Sequence, residues 1–410
     1  MENWKSVTIG EIAKLNTTSY SEKEKWEYVN YLDTGSIVEN KISSIQYFDT
    51  NNDNVPSRAK RKVRKNSIIY STVRPNQLHY GIIKEMPENF LVSTGFAVID
   101  VDENIADADF VYYSLTCDNV TDRLMTIANN STSSYPSITP DDIAKTQIKL
   151  PSITTQKKIA RLLSLLDRKI VENDKINDNL EQQAQMLYEY WFVQFDFPDK
   201  DGKPYKKSGN QMVYNRILKM DIPLGWTVGT LSDIANITMG QSPEGESYNE
   251  DGNGIEFFQG STDFGVFFPA TRVYTTNPKR MSKENDILLS VRAPVGTMNI
   301  AYQNCCIGRG LASIQGKTNN TTFVRHLLKS NKNFFDRINN AGTTFGAITK
   351  DILYEMPVII PPAKVMMEYE NIVSKSEATM RSSENEIRQL THIRDYLLPL
   401  LLNGQLSMDI

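Results

Sequence analysis

Residues 156–192 contain neither proline nor glycine. Alternating steps of four and three through them pick out Ile159, Leu163, Leu166, Ile170, Asn173, Asn177, Leu180, Ala184, Leu187 and Trp191. An apolar repeat averaging 3.5 residues is the seam of a coiled-coil helix, here with two asparagines at its middle. Moving each position on by 210 gives Tyr369, Val373, Ser376, Met380, Ser383, Ile387, Leu390, Arg394, Leu397 and Leu401, again with a polar residue, Ser383, near the centre. Two such seams in one chain are most simply buried against each other. The expected architecture is two globular parts held apart by a two-helix spacer.

The helix ends are legible. Hydroxyls at Ser152, Thr154 and Thr155 and then Gln156 form an N-terminal cap signal, the second stretch opens after Pro361-Pro362, and Asn403-Gly404 is a C-terminal stop. Some 36–40 residues at about 1.5 Å each make a rod of roughly 55–60 Å. Helices at matching places in two repeats related by a two-fold run antiparallel. Asn173, Asn177 and Ser383 then either fix the register inside the seam or face solvent at a local irregularity.

The same repetition runs through the globular parts. Trp226 follows Trp4 by 222 residues, Ser290 follows Ser71 by 219, Gly310 follows Gly95 by 215, Phe323 follows Phe110 by 213 and Ile348 follows Ile138 by 210. Offsets that fall in order and end in an ungapped helical register mark a tandem duplication whose first copy has longer loops. The domains expected are 1–151, a helix over 152–195, a connector over 196–225, a second globular part over 226–361 and a helix with a tail over 362–410. Strand signals lie at 67–73, 96–101, 147–150, 287–291, 311–314 and 358–360, with short helical patterns at 110–115 and 322–328. This mixture predicts α+β units with long loops rather than alternating βαβ.

Composition excludes several function classes. There is no signal peptide and no apolar run near 18 residues, which predicts a cytoplasmic protein with no membrane association. The three cysteines have no metal-binding spacing, and three histidines argue against a His-rich metal site. The glycines of residues 310–318 resemble a phosphate loop but enclose five residues rather than four, so a strand and turn are expected there. Asp199 and Asp201 lie in a turn. No catalytic grouping recurs in both copies, so no catalytic residue, metal or bound cofactor is expected in this chain.

The net charge of −4 does not suit indiscriminate coating of nucleic acid, yet residues 58–65 hold six basic residues in eight. The candidate DNA-binding residues are Lys60, Arg61, Lys62 and Arg64, followed by Arg74, Asn76, Gln77 and His79 in a polar loop. Lysine and arginine suit phosphates, while arginine, asparagine and glutamine can pair with base edges. Lys279, Arg280 and Arg292 recur in the second copy, and Gln241, Ser242, Thr343, Thr344 and Lys350 add two further polar loops. The bland reading of such a run is a solvated basic edge strand.

Several segments carry a family resemblance: WKSVTIGEIAKL, SRAKRKVRKNSIIYSTVRPN, YPSITPDDIAKTQIKLP, YEYWFVQFDFPDKDGKPYKKSG, GQSPEGESYN and LLPLLLNGQL. Across essentially its whole length the chain resembles the specificity subunits of Type I restriction–modification systems. The resemblance implies an α+β fold of two tandem target-recognition domains separated by two long helices in an antiparallel coiled coil. Each domain would read one half of a split target in double-stranded DNA, the halves lying about one helical turn, roughly 34 Å, apart. Two methyltransferase subunits using S-adenosylmethionine, and two motor–nuclease subunits using ATP and Mg, would be the partners. The competing reading is a non-enzymatic two-domain coiled-coil scaffold for proteins or glycans. A lone nuclease or methyltransferase is a third.

Overall fold

The computed structural model describes residues 4–131, 135–340 and 347–406. They form two compact units, Met1–Ile170 with Gln389–Ile410, and Val171–Arg388.

In the first unit Lys5–Thr8 pairs antiparallel with Gln147–Leu150, closing the globular part near its two ends. One sheet has the order Ala13–Leu15, Phe96–Val101, Ile68–Ser71, Tyr80–Ile82. A second runs Gln46–Asp49, Tyr28–Leu32, Phe90–Ser93, Ala59–Lys62, and its two middle strands are parallel. The second unit repeats this plan. Thr227–Thr230 pairs with Pro357–Ile360, and Ala235–Met239, Leu311–Gly316, Ile287–Ser290 and Met298–Ile300 build the first sheet. Ile255–Phe258 and Cys305–Ile307 form the parallel pair of the second sheet, with Met281–Ser282 at one edge.

The duplication extends to single hydrogen bonds. Ile9 N–H donates to Thr146 O at 3.0 Å, and Leu231 N–H to Met356 O at 2.8 Å. Thr72 N–H reaches Gly95 O as Val291 N–H reaches Gly310 O, both at 2.9 Å. Capping boxes at Thr8/Glu11 and Thr230/Asp233 start equivalent one-turn helices. Each partner keeps the offset read from the sequence.

The strands expected at 67–73, 96–101 and 311–314 form, as do helices Ala108–Thr116 and Thr321–Ser330. The second sheet was not foreseen. Many of its strands have only two to four residues, too short for a period-two pattern to register. The polar connector also holds a hairpin, Met212–Asn215 with Met220–Pro223.

The long helices are Ile153–Tyr188, extended by a π-turn at Glu189–Val193, and Ala363–Leu402. Of the seam residues, Ile159, Leu163, Ile170, Tyr369, Val373 and Met380 are buried, while Leu166, Leu180, Leu187, Ile387, Leu390 and Leu397 are partly covered. Within the first unit Ile159 and Leu163 share a cluster with Leu397, Leu401 and Leu402. Within the second, Tyr369 Oη donates to Ala184 O at 3.1 Å. Early residues of one helix therefore meet late residues of the other, so the pair is antiparallel. Asn173 and Asn177 are both 2% exposed, which removes the solvent-facing alternative. Asn173 Nδ2 donates to Glu386 Oε2 at 2.8 Å, whereas Asn177 Oδ1 has no partner among the described residues.

In each unit a short helix is joined to the long helices through polar contacts. In the first, Tyr113 Oη donates to Asp167 Oδ2 at 2.6 Å and Arg394 Nη1 reaches Asp167 Oδ1 at 3.0 Å. In the second, buried Arg325 bridges Glu181 at 2.6 Å and Glu377 at 2.8 Å, and Lys329 also pairs with Glu181. Burial alone would raise the Glu181 carboxyl, but the cations around it, Arg325 first, hold it well below the usual range. His326 is fully buried, with Nδ1 2.6 Å from Tyr369 Oη and Nε2 3.4 Å from Glu181 Oε2.

Candidate nucleic-acid interface

In the second unit, strands that leave both sheets in the same direction deliver their following loops to one end. Gln241 and Ser242 follow Ala235–Met239, Gln259 follows Ile255–Phe258, Arg292 follows Ile287–Ser290, and the turn 308–310 follows Cys305–Ile307. Gln241 N–H donates to Ile307 O at 3.0 Å, Ile307 N–H to Arg280 O at 2.9 Å, and Val291 N–H to Gly310 O at 2.9 Å. Those bonds bring Gln241, Ser242, Arg280 and Arg292 together around a single turn, with exposed Lys279 beside Arg280. The residue at the centre of that turn, Arg309, was missed. Its only sequence signal was glycine on both sides, which reads as an ordinary turn.

Ala347 bridges to Arg292, and Lys350 begins the helix Lys350–Tyr354 just beyond, its Nζ 4.9 Å from the Tyr354 ring centre. Thr343 and Thr344 lie outside the described residues.

The first unit presents the equivalent end. The residues 72–79 loop carries Arg74, Asn76, Gln77 and His79. Arg74 N–H donates to Pro136 O at 2.9 Å, and the Arg74 guanidinium lies 4.9 Å from the Tyr135 ring centre. Arg74 and Leu78 both have left-handed backbones, φ 49° and 55°, around the turn Pro75–Gln77. Asn76 and Gln77 are exposed. His79 is half-buried, and burial pushes its pKa down. Arg58 joins this end, since its carbonyl accepts from Thr94 N–H at 2.8 Å.

The side chains of the basic run do not lie on one surface. Side chains along a strand advance by about 3.3 Å each and alternate faces, which disperses the charges. Lys60 is exposed near the loop end. Arg61 is half-buried with Nε lacking a partner among the described residues. Lys62 pairs with Glu24 and lies 5.0 Å from the Trp26 ring centre. Arg64 is at the far end, 3.2 Å from Asp100. Arg74 and Arg292 are also not equivalent. With Ser71 matched to Ser290, Arg292 occupies the place of Val73, as the bridges Val73–Ser137 and Arg292–Ala347 show.

Among the described residues no cluster of His, Cys, Asp or Glu could hold a metal, and no helix is long and apolar enough to cross a membrane. The Type I restriction modification DNA specificity domain matches residues 1–182 and 223–392, both copies of the repeat. The chain belongs to that family. It is 26% identical to the Type I restriction enzyme HindI specificity subunit of Haemophilus influenzae, over 99% of this chain and 100% of that one. It is 27% identical to the putative type I restriction enzyme MjaX specificity subunit of Methanocaldococcus jannaschii, over 99% and 94%. A crystal structure of a Type-I restriction-modification system S subunit from M. genitalium aligns over 98% of this chain and 96% of that one, at a TM-score of 0.57 and 18% identity, a likeness of fold. This specificity subunit is a non-catalytic component whose function is DNA sequence specificity. The reading as a scaffold for proteins or glycans is not favoured by these similarities.

Proposed function

We propose that each unit reads one half of a bipartite sequence in double-stranded DNA and that the two long helices serve as the spacer. Reading is by the loop ends described above: Arg74, Asn76, Gln77 and His79 with Lys60 and Arg61 in the first unit, Gln241, Ser242, Lys279, Arg280, Arg292 and Lys350 in the second. Two methyltransferase subunits bound to this chain methylate adenine N6 with S-adenosylmethionine, and two motor–nuclease subunits using ATP and Mg join for restriction, all in the cytoplasm. The observation that carries this reading is that both copies gather polar and basic loops at the same ends of the same strands. A genome-wide map of N6-methyladenine in cells with and without this chain tests it. Loss of one split motif is expected when the chain is removed, and an unchanged map would refute the assignment.

A further inference from the structure

Three glycines let three loops of the second unit touch through their backbones. A Cβ on Gly240 would lie 2.1 Å from Gly308 O, one on Gly310 would lie 2.5 Å from Gln259 O, and one on Gly308 would lie 2.5 Å from Gln259 Oε1. Larger residues would push these loops apart. The turn they enclose is pinned by Gly308 N–H to Phe258 O at 2.8 Å, Gly310 N–H to Gln259 O at 3.1 Å and Leu311 N–H to Gly308 O at 3.0 Å. Ser242 Oγ completes it, accepting from Arg309 N–H at 3.3 Å and donating to Gln259 Oε1 at 2.9 Å. Every anchor is a backbone or small polar group. The Arg309 side chain takes no part, being exposed, with a guanidinium that makes no hydrogen bond or ion pair among the described residues.

A rigid mount beneath an uncommitted arginine is what base reading requires, because the side chain's direction is fixed before DNA arrives. Accepting that the second unit reads a DNA half-site, we infer that Arg309 is a further base-reading residue beside those loops and recognises a guanine through O6 and N7, its turn held by Ser242 and Gln259. Guanidinium offers two parallel N–H donors to that edge, the commonest specific contact in the major groove. The corresponding place in the first unit is Thr94, beside Gly95. A threonine cannot make the bidentate contact, so the two units read with different chemistry from the same turn.

The experiment is the methylation map, with competition between matched and single-mismatch duplexes, for the assembled complex carrying Arg309→Ala or Arg309→Lys. With the alanine variant, discrimination at one guanine of one half-site falls by roughly 5- to 150-fold while the other half-site is unchanged. The lysine variant keeps the charge but loses the fork, and shows the same relaxed position. Uniform weakening on every sequence, restored by lysine, would make Arg309 a phosphate contact and overturn the inference. So would an unaltered motif in both variants. If the unmodified complex itself gives no split motif, the parent reading fails and the inference falls with it. An unchanged thermal midpoint and an intact second half-site separate altered reading from misfolding.

Discussion

Tyr113 and Asp167 in the first unit correspond to His326 and Glu377 in the second, at offsets of 213 and 210. The first pair makes one neutral-donor contact to a half-exposed carboxylate, with Arg394 outside it. The second belongs to a buried ionic network with Arg325 at its centre, side chain 3% exposed. Elsewhere in the frame the backbone bonds recur, as Ile9 N–H to Thr146 O and Leu231 N–H to Met356 O do. A duplicated frame thus fixes where the short helix meets the long ones but leaves the chemistry of the joint free to diverge.

The largest expected effect comes from breaking the ionic joint. Arg325→Met leaves Glu181 and Glu377 short of their cation and should destabilise the second unit by about 3–5 kcal/mol. Asp167→Asn in the first unit should cost about 1 kcal/mol or less. Denaturant unfolding read from Trp4 and Trp26 in one unit and from Trp191 and Trp226 in the other checks both. Equal losses would show that the two joints do not differ energetically.

A pH series sharpens the same contrast. Burial, reinforced by Arg325, pushes His326 down to about 4, so the unfolded chain gains a proton near 6.5 that the folded one refuses. That group costs stability as pH falls from 6.5 to 4. Burial pushes Glu370 up to about 7, so the folded carboxyl holds a proton that the unfolded chain releases above 4.5. That group costs stability as pH rises from 4.5 through 7. The two slopes oppose each other, and the intact second unit should be nearly flat between pH 4.5 and 6.5 from these groups. Glu370→Gln removes one slope, and the second unit should then lose on the order of 2–3 kcal/mol over that window. The first unit has Tyr113 and Ala160 at these places and should not share the change.

Smaller effects follow at single polar groups. Asn177→Leu should stabilise the second unit by about 1 kcal/mol, because it removes a buried oxygen without a partner. Lys62→Ala should cost little stability through its solvent-screened pair with Glu24 and leave DNA binding unchanged, whereas Lys60→Ala should lower affinity on all sequences alike. A loss of affinity with Lys62→Ala as large as that with Lys60→Ala would restore the run as one basic patch.

Features set by local periodicity or repetition were legible in the sequence. The helical seam, its 210-residue echo, the strand Phe96–Val101 and the cap at Asn403-Gly404 needed no knowledge of distant contacts. Four of the polar residues chosen in the second copy, Gln241, Ser242, Arg280 and Arg292, do converge on one turn. What escaped depends on non-local pairing. The parallel pair of Ile255–Phe258 and Cys305–Ile307 joins strands of three or four residues from separate parts of the chain. Arg309 acquires meaning only when Gly240 and Gln259 arrive beside it, and the dispersal of Lys62 and Arg64 follows from Glu24 and Asp100, 38 and 36 residues away.

The central claim is that one repeated frame carries two readers that act independently. Its most direct test is a methylation map from cells in which residues 1–151 are exchanged for the matching segment of a relative with a known, different target. One half of the split motif should change to that of the donor while the other half stays as it was. A change in both halves would contradict the account.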